Sequence, residues 1–142
     1  MSRLGRIVWS ALAVTVLVWP VAAQIPQVDC QSDDLVQMEL NFCAEQAWIE
    51  ADEELNLAYR LALTEAKVFD ENAARDGRST PVTMEEVLRQ AQRDWIPFRD
   101  NACAAEAMLV QGGSMQPMVG TLCLERLTRR RLEDLMVFSQ DR

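Results

Sequence analysis

The stretch TMEEVLRQAQRDWIPFRDNACAAEAMLVQGGSMQPMVGTLC, residues 83–123, decides the fold. It opens with a capping box, in which Thr83 is placed as N-cap and Glu86 reaches back from the third helical position. Val82 and Val87 flank that box where a hydrophobic staple requires them. Leu88, Ala91, Trp95, Phe98, Ala102 and Ala105 then recur at steps of three or four, the stripe of an amphipathic helix. Pro97 falls inside the stripe and has no amide for the carbonyl of Arg93, which predicts a kink, or else a break into two helices. Gly112-Gly113 marks a turn, and Pro117 suits the first turn of a following helix. Cys103 and Cys123 lie about ten residues to either side of that turn. Two antiparallel helices joined there place them side by side. Such a cross-link closes a loop of about 20 residues and contributes roughly 3 kcal/mol.

Working upstream, Leu40, Cys43, Ala47, Ala51, Leu55, Ala58, Ala62 and Ala66 form a second helical stripe. Its alanines allow a partner helix to come close. This helix is expected to end near Ala74, before Arg75-Asp76-Gly77-Arg78-Ser79. A short turn or helix precedes it, at about Asp33 to Glu39. The pairing Cys103–Cys123 leaves Cys30–Cys43. A straight helix rising about 1.5 Å per residue would hold those two too far apart, so the chain between them must fold back. Downstream, Met118, Leu122, Leu127, Leu132, Leu135 and Phe138 give the third helix its apolar face. Arg129-Arg130-Arg131 reads as a solvated face near a helix C-terminus, where cations meet the dipole favourably. No strand alternation competes. The fold class is all-α: a small antiparallel bundle of three main helices plus a short N-terminal helix, stapled by two disulfides.

Residues 1–23 stand apart from this pattern. Arg3 and Arg6 precede an apolar run from Ile7 to Val18, and Pro20 leads into Val21-Ala22-Ala23. That is the form of a secretory signal peptide cleaved after Ala23, which leaves residues 24–142 as one domain. Asp29 directly before Cys30 does not resemble a lipobox, and no second apolar run is long enough to span a membrane. Export to the periplasm or the medium in turn favours two disulfides from four cysteines.

Composition narrows the function. The chain has 142 residues, 14 Lys+Arg against 22 Asp+Glu, and no histidine. Loss of the leader would leave 12 basic and 22 acidic residues. Without His there is no Ser-His-Asp triad, no His base and no His metal ligand. The cysteines lack CxxC spacing, so no metal and no cofactor is expected. An acidic surface is a poor ligand for nucleic acid. No Gly-rich phosphate loop, nucleophile elbow or marked carboxylate pair points to catalysis. A basic protein is the better partner, and the oligomeric state is left open.

Two groups of residues are candidates for contact. Asp52, Asn56 and Tyr59 share a face of the first helix, and Trp95, Arg99 and Cys103 share one on the second. Arg99 can lie over the Trp95 ring or pair with Asp52 or Asp100. Packing of the two helices would join these groups, either as a buried polar cluster that sets register or as an exposed recognition patch. The second group is the turn Gln111, Gly112, Gly113, Ser114 and Gln116.

Four signals coincide in order. They are Asn41-Phe42-Cys43-Ala44; Ala51-Asp52-Glu53-Glu54-Leu55-Asn56 with Tyr59; Ala91-Gln92-Arg93-Asp94-Trp95-Ile96-Pro97-Phe98-Arg99-Asp100 with Cys103; and Gly112-Gly113-Ser114 followed by Pro117, Met118 and Cys123-Leu124-Glu125-Arg126-Leu127-Thr128. In this spacing, over about residues 30–135, the chain resembles the LprI-type lysozyme inhibitor family. The resemblance implies an exported bacterial protein, small, helical and disulfide-linked, and brings with it a lysozyme-inhibitor label; a protein of that kind need only occlude the lysozyme substrate cleft. A non-catalytic protein of the cell envelope with a different partner fits the same helices and cysteines.

Overall fold

A computed structural model describes residues 28–138. Three long helices fill most of this span: α1 Gln37–Arg75, α2 Met84–Ala107 and α3 Gln116–Met136. One 3-10 turn, Met108–Val110, continues directly from α2. There is no strand among the described residues. The expected signal peptide and its cleavage point lie outside them. No described helix is long and apolar enough to cross a membrane.

Cross-helix contacts fix the topology. Gln37 Nε2 reaches Met118 Sδ at 3.7 Å and Arg129 reaches Glu54 at 3.3 Å, so α1 and α3 run in the same direction. Arg99 meets Asp52 at 2.9 Å, and the start of α2 meets Asp70, so α2 runs against α1. Consecutive helices are therefore antiparallel, as in an up-down-up bundle.

The helix ends are well satisfied. α1 closes with a Schellman motif. The amide of Gly77 donates to the Ala74 carbonyl at 3.1 Å and that of Arg78 to the Ala73 carbonyl at 2.7 Å. Gly77 adopts φ +69°, a left-handed conformation that costs glycine least. At the start of α2 the Glu86 amide donates to Thr83 Oγ1 (3.2 Å) and the Thr83 amide to Glu86 Oε2 (3.0 Å), completing the capping box. Asp70, from α1, accepts the amides of Met84 and Glu85 at 2.9 and 3.0 Å. The first three helical amides of α2 thus all have partners, and the Asp70 carboxylate sits at the positive end of the helix dipole. α2 remains one helix through Pro97.

The apolar core lies at one end of the bundle. Leu55, Ala62 and Ala66 of α1, Leu88 of α2 and Leu135 of α3 are buried there, with Trp95 and Leu132 packed against them. Both disulfides form: Cys30–Cys43 with Cα atoms 5.6 Å apart, and Cys103–Cys123 at 5.3 Å. The hairpin argument for the second pair is borne out.

Three local expectations need correction. The segment before α1 has turns near residues 30–34, and Gln37 to Glu39 already form the first turn of α1. No separate N-terminal helix stands between them among the described residues. On α2 the inward strip is Leu88, Gln92, Arg99 and Cys103, whereas Ala91, Phe98 and Ala105 of the expected stripe are exposed. The Cys103–Cys123 bond turns that part of α2 toward α3, and hydrogen-bonded polar groups fill the places that hydrophobicity alone would give to alanine and phenylalanine. Finally, Arg131 is not solvated. Its side chain is only 15% exposed and donates from Nε to Gln92 Oε1 at 3.1 Å, because Gln92 is itself on the inward strip.

Candidate functional site

The other end of the bundle is built around Arg99. This residue is 8% exposed and is buried by its place on the inward strip of α2. A buried cation is costly unless it is paired and hydrogen-bonded. Arg99 meets both conditions. Its Nε donates to Asp100 Oδ1 and its Nη1 to Asp52 Oδ1, each at 2.9 Å. Nη1 also reaches Thr128 Oγ1 on α3 at 3.3 Å. The guanidinium carbon lies 5.0 Å from the Trp95 ring centroid and 5.9 Å from that of Trp48, within cation–π range of both. Asp52 is held from its other side by Asn56, whose Nδ2 donates to Oδ2 at 3.0 Å. One guanidinium thus ties all three helices together.

Five of the six residues in the first candidate group meet here: Asp52, Asn56, Trp95, Arg99 and Asp100. Tyr59 does not. It packs against the apolar core and lies near Arg89. The Arg89 guanidinium is raised from its usual value mainly by its hydrogen bond to Glu85, with Tyr59 a lesser cause.

The second candidate group forms the far wall of the same region. Gly112 has φ +79°, which explains the glycine at that position. Its amide donates to Gln116 Oε1 at 3.0 Å. Ser114 offers its carbonyl to Asn41 Nδ2 at 3.2 Å, which ties the turn to the start of α1. Gln111 is exposed beside them.

Between these walls lies an open groove of about 740 Å³. Arg99, Asp100 and Trp48 line one side, and Gly112, Gly113 and Gln116 line another. Ala104, Gly120, Thr121 and Leu124 are among the rest of its lining. A Cβ on Gly120 would come within 3.3 Å of the Ala107 Cβ, so the glycine lets α3 approach the end of α2. The two groups singled out in the sequence therefore share one groove.

Four contributors escaped the sequence reading. Thr128 is fully buried against Arg99, and Trp48 lines the groove with its indole Nε1 enclosed and without a hydrogen-bond partner. Neither carries a local signature, since each acts across helices. Leu109 and Met108 stand 83% and 61% exposed on the connection from α2 to α3. Their signal was visible: Met108-Leu109-Val110 is an apolar run in a place where a connection is normally polar. Chemically, the arrangement offers recognition. A mainly apolar hollow is lined by one paired cation and one carboxylate, and an apolar pair, Met108 and Leu109, is exposed on the connection between α2 and α3.

Residues 28–135 match the sequence model of the family described as lysozyme inhibitor LprI. The chain is 40% identical over 121 residues to an uncharacterized protein of Rhizobium meliloti (strain 1021), with 82% of each chain covered. No solved structure matches.

Proposed function

Since the chain belongs to the LprI lysozyme inhibitor family, we propose that it is an exported, non-catalytic binding protein that inhibits lysozyme by covering its substrate cleft. The family match over residues 28–135 carries this reading. Two disulfides support a location outside the cytoplasm, and the periplasm is the compartment we assign. Residues 24–142 form the exported domain.

The contact surface in this reading is the end of the bundle that holds the groove. Leu109 and Met108 supply apolar area that gains from being covered, at about 25 cal/mol per Å². The turn Gln111–Gln116 stands beside them. The 12 basic against 22 acidic residues of 24–142 favour encounter with a basic enzyme and steer it at low ionic strength. Steering alone is screened at physiological salt, so a specific inhibitor must keep its affinity there.

The test is titration of the oxidised protein against c-type, g-type and i-type lysozymes at low and physiological salt. The reading requires saturable inhibition of at least one type at physiological salt. Leu109→Asp should then raise Ki by roughly tenfold or more, the loss of one interface anchor. Its circular dichroism melt should match that of the parent. Inhibition confined to low salt, or none, would reject the proposal. Unchanged Ki in Leu109→Asp and in a Gln111/Gln116 alanine pair would move the contact away from this end.

A further inference from the structure

The outer face of α1 carries an apolar strip beside the leucine core. Leu57, Leu61, Thr64 and Val68 follow one another at steps of four, three and four, the spacing of a heptad seam. They lie on the far side of the helix from Leu55, Ala62 and Ala66, which face the core. Leu57, Leu61 and Val68 are 53%, 52% and 45% exposed. Thr64 uses its hydroxyl inside the helix, donating to the Arg60 carbonyl at 3.0 Å, so its donor is already satisfied. Single exposed leucines are ordinary, but three large apolar groups in one register form a patch that gains from being covered.

The charges beside the strip indicate what covers it. With Leu61 and Val68 at a positions and Leu57 and Thr64 at d, Arg60 and Lys67 take g positions and Glu65 takes an e position. All three are exposed, and none forms an ion pair within the chain among the described residues. In a parallel pair of such helices a g residue meets the e residue five positions on in the partner. Arg60 then meets the partner's Glu65, and twofold symmetry makes that pair twice. An antiparallel pair sets g against g and brings Arg60 to the partner's Lys67, like charge against like. A second, parallel copy of α1 is the occupant whose charges match.

The area is sufficient for a modest contact. Leu57, Leu61, Thr64 and Val68, with the stems of Arg60, Glu65 and Lys67, can withdraw about 600 Å² per protomer from water, or about 1,200 Å² in all, the lower edge of a standard interface. The helix is already folded, so pairing orders little that was free. Two straight helices that cross at about 20° separate beyond such a length. Glu50 upstream and Glu71 downstream are then not forced against their own copies, and Glu54 is neutralised by Arg129 at 3.3 Å.

We infer that two copies of this protein associate in parallel through Leu57, Leu61, Thr64 and Val68, with Arg60 of each paired to the partner's Glu65. The dimer is weak, with Kd on the order of 10 μM. Its seam is on the outer side of α1, so both groove ends stay uncovered and point the same way. The inference stands apart from the inhibitor reading.

Sedimentation equilibrium of the oxidised protein at physiological salt, from about 1 to 500 μM, tests it. The weight-average mass should climb from monomer to dimer and stop there, since a twofold contact closes on itself. Leu61→Glu should stay monomeric across that range with an unchanged circular dichroism melt, because Leu61 is exposed in the monomer. Arg60→Glu and Glu65→Arg should each raise the dimer Kd roughly fivefold, and the two together should restore it. A parent that remains monomeric across the range would overturn the inference. So would a dimer that survives Leu61→Glu, or a charge reversal that the second reversal does not rescue. Tightening of the dimer by Arg60→Glu would show an antiparallel pair and overturn the parallel one. None of these measurements uses lysozyme, so either reading can fail without the other.

Discussion

The two ends of this bundle hold together by different means. At one end Leu55, Ala62, Ala66, Leu88 and Leu135 exclude water in the ordinary way, and the alanines let the helix backbones approach. At the other end Cys103–Cys123 cross-links α2 to α3, and Arg99 joins Asp52, Thr128 and two indoles. The groove lies at the second end. The contrast has a physical reason. The interior of the leucine end packs closely, as protein interiors do, and its hollows lie on the outside, around Val87 and Ala91 and around Phe69 and Asn72. An end pinned by covalent and directional bonds can keep a groove. A domain of this size has little core to spare, so the disulfide supplies what packing has given up.

The largest expected effect breaks the first end. Leu135 is 1% exposed, and Leu135→Ala removes buried methyl groups and leaves a cavity, at a cost of about 3 kcal/mol. The loss should appear in urea unfolding as a lower midpoint with an unchanged slope. Replacing Cys103 and Cys123 together by Ser should cost about as much, roughly 3 kcal/mol for the 20-residue separation. The two variants are distinguished by where they loosen the molecule. Hydrogen exchange at the Gly112 and Gly120 amides should speed up in the cysteine variant and stay nearly unchanged in Leu135→Ala under native conditions. Equal acceleration in both would mean that the ends are one cooperative unit. A smaller effect belongs to the junction of α1 and α2 at the core end. Asp70→Ala deprives the Met84 and Glu85 amides of their partner and should cost about 1 kcal/mol in the same unfolding assay, the usual worth of a helix cap.

How far this was legible in the sequence follows the same division. The hairpin and its disulfide were readable because Gly112, Pro117 and the paired cysteines are local signals that act within one turn and its two flanks. The link of Arg99 to Asp52 and Asp100 was readable as a set of alternatives, since helical spacing says which residues share a face but not which faces meet. The structure adopts both pairings at once. Thr128, Trp48 and the Asp70 cap were not readable, because each is defined by the other helix that it touches. The inward face of α2 was misassigned for a more general reason. Apolar spacing selects Ala91, Phe98 and Ala105, but burial is decided by what a neighbour can satisfy, and Gln92 and Arg99 have partners waiting on α3 and α1. Hydrophobic periodicity reads the leucine end well and the groove end poorly.

The smallest effect probes charge, and it too separates the ends. Interhelical ion pairs gather at or near the groove end: Arg99–Asp52, Arg126–Glu106 and Arg129–Glu54. Among these partners, Glu106 has its carboxyl held below the usual glutamate range, chiefly by the hydrogen bond from Arg126 at 2.7 Å. A carboxylate that is more acidic in the folded state stabilises that state above its unfolded pKa, about 4.3, and loses the contribution as pH falls through the lowered folded value. The stability difference between the parent and Glu106→Gln should therefore be constant from neutral pH down to about 5.5 and close toward zero as the pH falls through the lowered folded value. Because the pair is largely solvated, the difference should be small and should shrink in salt. Its location gives it value. Acid strong enough to protonate Glu106 should lower the protection against hydrogen exchange, relative to the intrinsic rate at that pH, beside Glu106 and Arg126, close to the Cys103–Cys123 cross-link, before it does so at Leu55 or Leu135, whose burial owes nothing to charge. Simultaneous loosening of both ends at the same pH would show that the ion pairs contribute to the whole bundle and that the groove has no separate stability.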